Sequence, residues 1–113
     1  MERPPLKCSV MLRIYGKDKC FGPGVAELLE RIDTTHSLRK ATMEMNMAYS
    51  KAWRVLKVAE ENLGFPLLHS VTGGRGGGGA SLTEEGRRFL SSYRLLERAV
   101  SDYADEAFLE FIG

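Results

Sequence analysis

In 113 residues the chain has only two cysteines and two histidines. Cys8 and Cys20 stand in no metal-binding spacing and make no disulfide framework, so both are expected as reduced thiols in a cytosolic protein. His36 and His69 are isolated, and neither a Ser/His/Asp arrangement nor a metal-ligand cluster can be assembled around them. An enzyme is therefore not expected, and neither is a metal or other cofactor. No apolar run approaches the roughly 20 residues that span a bilayer. The opening MERPPLK is short and polar, unlike a signal peptide, so a cytoplasmic chain with no membrane partner is expected. A large charge of one sign is missing too. Sixteen Lys/Arg against 15 Asp/Glu leave a net charge of +1, which excludes a globally basic binder.

What is present is ordinary in amount and uneven in distribution. Hydrophobic residues at 43% and charged residues at 27% suit a single soluble domain with one core. Residues 1–36 carry six Lys/Arg and five Asp/Glu, residues 37–80 six and three, and residues 81–113 four and seven. The middle is thus net +3 and the C-terminal segment net −3. A cationic middle beside an acidic tail fits one face that meets an anion and another that turns away from it.

Pro4 and Pro5 discourage regular structure at the start. Over residues 6–15, Cys8, Val10, Leu12 and Ile14 alternate with Lys7, Ser9, Met11, Arg13 and Tyr15, the period-two pattern of a half-buried strand. Gly16 to Lys19 reads as a turn or loop. A strand needs a partner, to be supplied by the rest of the chain or by a second copy. The next 42 residues, 23–64, read as a three-helix core. Pro23 suits the first turn of a helix, where its missing N–H costs nothing. That helix carries the stripe Val25, Leu28, Leu29, Ile32 and ends at Asp33–His36.

Ser37 is a good N-cap for a short helix whose apolar positions are Leu38, Ala41, Thr42 and Met45. Asn46 tolerates the left-handed backbone of a tight turn, and Met47 plugs that turn. A second helix over 48–62 carries Ala52, Leu56 and Ala59 inward, with Gly64 and Pro66 stopping it. This is the layout of a helix-turn-helix, whose second helix enters the DNA major groove. Its outward positions are Tyr49, Ser50, Lys51, Arg54 and Lys57. Arg54 can fork onto a guanine edge. Tyr49 and Ser50 can reach bases or phosphate, and Lys51 and Lys57 serve as point charges on the backbone. Arg39 and Lys40, at the start of the preceding helix, can pin the flanking strand. Beside Ala52, Trp53 is placed in the core between the helices; a groove-facing ring is the other reading.

Residues 67–82 read as a β-hairpin wing around GGRGGGGA at 73–80. A nucleotide-binding loop is excluded, because no Lys-Ser/Thr follows the last glycine and no βαβ unit surrounds it. As a wing tip the glycines permit close approach to phosphate, and Arg75 can enter a minor groove. Thr83 caps a last, long helix over 83–112, with Glu84 and Glu85 in its first turn. Its stripe from Phe89 to Phe111 is too long for so small a core, so the far half, Val100 to Ile112, is expected to associate with a second copy. The other reading folds it back on the first strand. The fold class is therefore α+β, mainly α: a winged helix-turn-helix with an N-terminal strand, a hairpin wing and a long C-terminal helix.

Three stretches carry a resemblance: Met47–Trp53 (MAYSKAW), TGGRGGGGASLTEEG at 72–86, and LGFPLLHSVTGG joining helix to wing. Together they resemble the N-terminal DNA-binding domain of the ModE family of molybdate-responsive bacterial regulators. The ENLGFPLL segment with LTEEG beyond it is also similar to the LysR-type winged helix-turn-helix. The resemblance spans about residues 20–100. It implies a dimeric transcription regulator that binds double-stranded DNA, with Tyr49, Ser50, Lys51 and Arg54 on the recognition helix and Arg75 in the wing. With the long apolar stripe of the last helix, a homodimer through that helix is expected, with the N-terminal strand available as a second contact. Full-length ModE regulators add a C-terminal molybdate-binding part; here a stand-alone reader is expected, and molybdate sensing is not carried over. The alternative is a winged-helix protein-interaction module that binds through its C-terminal helix.

Overall fold

Six elements follow one another in the computed structural model, which describes residues 2–69 and 79–113. They are β1 (Ile14–Tyr15), β2 (Lys19–Phe21), α1 (Pro23–Thr35), α2 (Leu38–Glu44), α3 (Tyr49–Leu63) and α4 (Glu84–Phe111). The helix boundaries are set by local chemistry. Pro23 starts α1, and His36 ends it at a left-handed φ of 58°, its N–H donating to the Ile32 carbonyl at 2.7 Å. The Ser37 hydroxyl accepts the Lys40 N–H at 3.0 Å and so fixes the start of α2. Asn46, at φ 54°, makes the turn into α3, and the Met47 N–H behind it donates to the Thr42 carbonyl at 2.9 Å. Gly64, at φ 85°, closes α3.

The core lies where α1, α2 and α3 meet the first turns of α4. Leu28, Leu29 and Ile32 of α1, Ala41 of α2, and Ala52, Leu56 and Ala59 of α3 are all buried. Phe21 of β2 completes it, edge-on to Phe89 at 4.8 Å and to Tyr93 at 4.9 Å. Tyr93 in turn donates its hydroxyl to the Leu12 carbonyl at 2.8 Å, and burial pushes its phenol pKa up.

The N-terminal strand expected over 6–15 is corrected. Only Ile14 and Tyr15 pair, and their partner is β2, antiparallel, immediately across the Gly16–Asp18 turn. Upstream, burial follows the alternation only in part: Cys8 and Leu12 are half-buried, but Val10 is exposed along with Ser9, Met11 and Arg13. Among the described residues no strand lies beside 6–13 to pair with it.

The base of the expected wing is present. Leu68 bridges Leu82, His69 N–H donates to the Ser81 carbonyl, and Thr83 N–H to the Leu67 carbonyl, each at 2.9 Å. The glycine-rich tip and Arg75 lie outside the described residues. Thr83 joins wing to α4: its hydroxyl donates to the Pro66 carbonyl at 2.6 Å and accepts the Gly86 N–H at 2.9 Å.

Gly86 sits where α4 crosses the wing base. A Cβ there would stand 2.7 Å from the Leu67 carbonyl oxygen and 3.1 Å from its Cα, both backbone atoms. Gly86→Ala is therefore expected to destabilise the domain, because overpacking of about 1–3 kcal/mol outweighs the roughly 1 kcal/mol that alanine adds within a helix. Gly24→Ala, in α1 with nothing within 4 Å of its Cβ, is expected to be neutral or stabilising. Thermal melts of the two variants compare the effects directly.

Candidate nucleic-acid interface

The second helix of the pair is held by its C-terminal half. Asn62 accepts the Asp18 N–H through its side-chain oxygen at 3.1 Å, tying α3 to the β1–β2 turn. Glu60 accepts the Leu67 N–H at 2.8 Å and ties α3 to the wing. Ala52, Leu56 and Ala59 press into the core from one side. With its far end and inner face fixed, α3 presents its N-terminal turns and outer face to solvent.

That outer face brings the expected residues together. Tyr49, Ser50, Lys51, Arg54 and Lys57 are all exposed. From Tyr49 to Lys57 there are three cations and no carboxylate; the acids begin at Glu60. Arg39 and Lys40 are exposed at the start of α2, and the Arg39 guanidinium lies over the Tyr49 ring, 5.0 Å from its centroid. This contact places the first turn of α2 beside the first turn of α3. Lys57 stands 4.6 Å over the Trp53 ring and 3.8 Å from Glu60.

Other arginines are committed to the scaffold. Arg31 bonds Glu27 and Glu44, Arg87 makes two bonds to Asp33, and Arg94 bonds Glu30 and Glu97. The Arg87 guanidinium holds the Asp33 carboxyl below its ordinary pKa, chiefly through those hydrogen bonds. Among the described residues no carboxylate pairs with Arg39, Lys40, Lys51 or Arg54. Arg31, Arg87 and Arg94 thus brace helices, whereas Arg39, Lys40, Lys51 and Arg54 face water around α3.

Trp53 requires a correction. Its ring does not close the core; it is 45% exposed and lies on the surface of α3, one turn after Tyr49 and one turn before Lys57. Adjacent residues on a helix point about 100° apart, so Ala52 can be buried while its neighbour is not. No group of three or more His, Cys, Asp or Glu is disposed to hold a metal ion among the described residues. No helix there is long and apolar enough to cross a membrane.

The family model for the bacterial regulatory helix-turn-helix protein, lysR family, matches residues 25–87. The chain belongs to this family. The match takes in α1, the α2–α3 pair, the wing and the first turn of α4, the parts that build and support the cationic face. Within the lysR-type domains the chain is similar to the molybdenum transport protein ModE of Azotobacter vinelandii, 39% identical over 70 residues, 62% of this chain and 26% of that protein. It is similar to the molybdenum-pterin-binding protein MopA of Rhodobacter capsulatus, 30% identical over 101 residues, 89% of this chain and 38% of that one. The DNA-binding transcriptional dual regulator ModE of Escherichia coli strain K12 is 29% identical over 92 residues, 80% of this chain and 35% of the regulator. The chain thus spans 26–38% of the length of these relatives.

Proposed function

We propose that this chain binds double-stranded DNA as the reading head of a bacterial transcription regulator, working in the cytoplasm as a homodimer. The observation that carries the reading is the outer face of α3: three cations and no carboxylate over Tyr49–Lys57, opposite a closed core face, inside the matched helix-turn-helix. α3 enters the major groove by its N-terminal turns. Arg54 forks onto a guanine edge, and Tyr49 and Ser50 contact bases or phosphate. Lys51 and Lys57 neutralise phosphates, Arg39 and Lys40 grip the flanking backbone, and Arg75 of the wing reaches the minor groove or the phosphates there. The domain does this without a catalytic step or a cofactor of its own.

The test is selection of bound sequences from random duplex, followed by gel retardation over a salt series. The affinity should fall with a log–log slope of about −0.9 per phosphate neutralised. Arg54→Ala is expected to cost about 1–3 kcal/mol and to relax preference at one base pair of each half-site. Lys51→Ala should weaken all sequences alike and reduce the salt slope by about 1. Absence of duplex binding even at low salt would overturn the reading. Unchanged affinity and preference in Arg54→Ala would overturn the assignment of Arg54.

A further inference from the structure

We infer that Trp53 is a specificity-determining residue that packs its ring on the C5-methyl group of a thymine in the major groove; this rests on the DNA-reading role proposed above. Trp53 is the chain's one tryptophan. The residue is 45% exposed although the core begins at the next residue back, Ala52, which is fully buried. A tryptophan has more apolar surface to bury than almost any other side chain, and half of it is left in water here. The ring is not isolated. Tyr49, 39% exposed, precedes it by one turn, and the two stand among Ser50, Lys51, Arg54 and Lys57.

The surroundings decide which occupant fits. Cations on both sides and no carboxylate from Tyr49 to Lys57 suit a polyanion. Lys57 lies over the ring at 4.6 Å, so it holds the indole in place and keeps its own ammonium near the edge of the face. When that ammonium moves onto a phosphate, the ring is left facing the groove floor. The apolar group that base edges display in the major groove is the thymine methyl. An indole seated there gains an apolar contact that cytosine and uracil cannot offer, so the residue selects thymine by the presence of one methyl.

The experiment uses the full chain and a duplex recovered by the selection, with each thymine replaced in turn by deoxyuridine. For the wild type, one thymine in each half-site should cost about fourfold in affinity when its methyl is removed, the worth of one buried methyl group. Trp53→Ala should lose about that much on the thymine duplex and lose nothing further on the deoxyuridine one. Trp53→Phe should restore part of the discrimination. In parallel, the emission of the wild type's sole tryptophan should shift and become protected from acrylamide at saturating duplex.

Independent, multiplicative effects of the two changes would overturn the inference. So would a selected consensus with no fixed thymine, or emission that ignores bound duplex. In those cases DNA binding by the chain stands and only the role of Trp53 falls. Failure to bind any duplex overturns both.

Discussion

Phe21→Ala is expected to lower the stability of the domain by about 3–5 kcal/mol, the usual cost of truncating a buried aromatic. Phe21 is 1% exposed and sits on a strand of only three residues. Its ring is the point where the hairpin, Phe89 and Tyr93 converge, edge-on at 4.8 and 4.9 Å. Removing it leaves a cavity between β2 and α4 that cannot collapse, because each wall is held separately. Tyr93 is tied to the Leu12 carbonyl, and the β1–β2 turn is tied to Asn62 of α3. The loss would take a large share of the 5–15 kcal/mol that keeps a domain folded. Urea unfolding followed by helical circular dichroism measures it. Phe21→Leu, which keeps most of the volume, should cost markedly less. Equal stability of the alanine variant and the wild type would show that the hairpin is not part of the cooperative core.

That residue also shows where the sequence stops being legible. The features legible in the sequence are those made by neighbours in the chain. Ser37 and Thr83 cap because a hydroxyl meets an N–H three residues on. Asn46 and Gly64 turn because few residues tolerate a positive φ. The stripes of α1 and α3 are read from their spacing alone, and the cationic face of α3 follows once its inner face is known. β2 is too short to show a period, and by composition Lys19 reads with the preceding turn. Its meaning comes from α4, some 70 residues away, which no local pattern contains. The stretch 6–13 is not a strand for the complementary reason: period-two spacing shows neither that each apolar residue finds cover, as Val10 does not, nor that a neighbour is there to bond. Adjacency to buried Ala52 says little about Trp53, because the helical step of about 100° decides its side.

Tyr103→Glu combined with Phe111→Glu is expected to convert a dimer into a monomer and to lower affinity for a two-half-site operator by about 10²–10⁴. The stripe of α4 begins in the core at Leu90 and Tyr93, then continues through Leu96, Val100, Tyr103, Ala104, Ala107 and Phe111 at helical spacing. After Tyr93 none of the helix is buried: Leu96 is 48% exposed, Tyr103 71% and Phe111 77%. A helix that carries its apolar face this far past its own core has reason to cover it, and an identical stripe on a second copy is the self-complementary surface a twofold dimer requires. Two reading heads fixed in this way can engage half-sites one helical turn apart, about 34–36 Å. Binding the first half-site then holds the second head at high local concentration, which is the source of the expected factor. Both substituted residues are exposed in the single chain, so the monomer should keep its melting temperature and its affinity for an isolated half-site. Sedimentation velocity and gel retardation on one- and two-site duplexes separate these effects. A doubly substituted chain that stays dimeric would move the interface off this stripe, and one that becomes monomeric yet binds the two-site duplex as tightly as before would remove dimerisation from recognition.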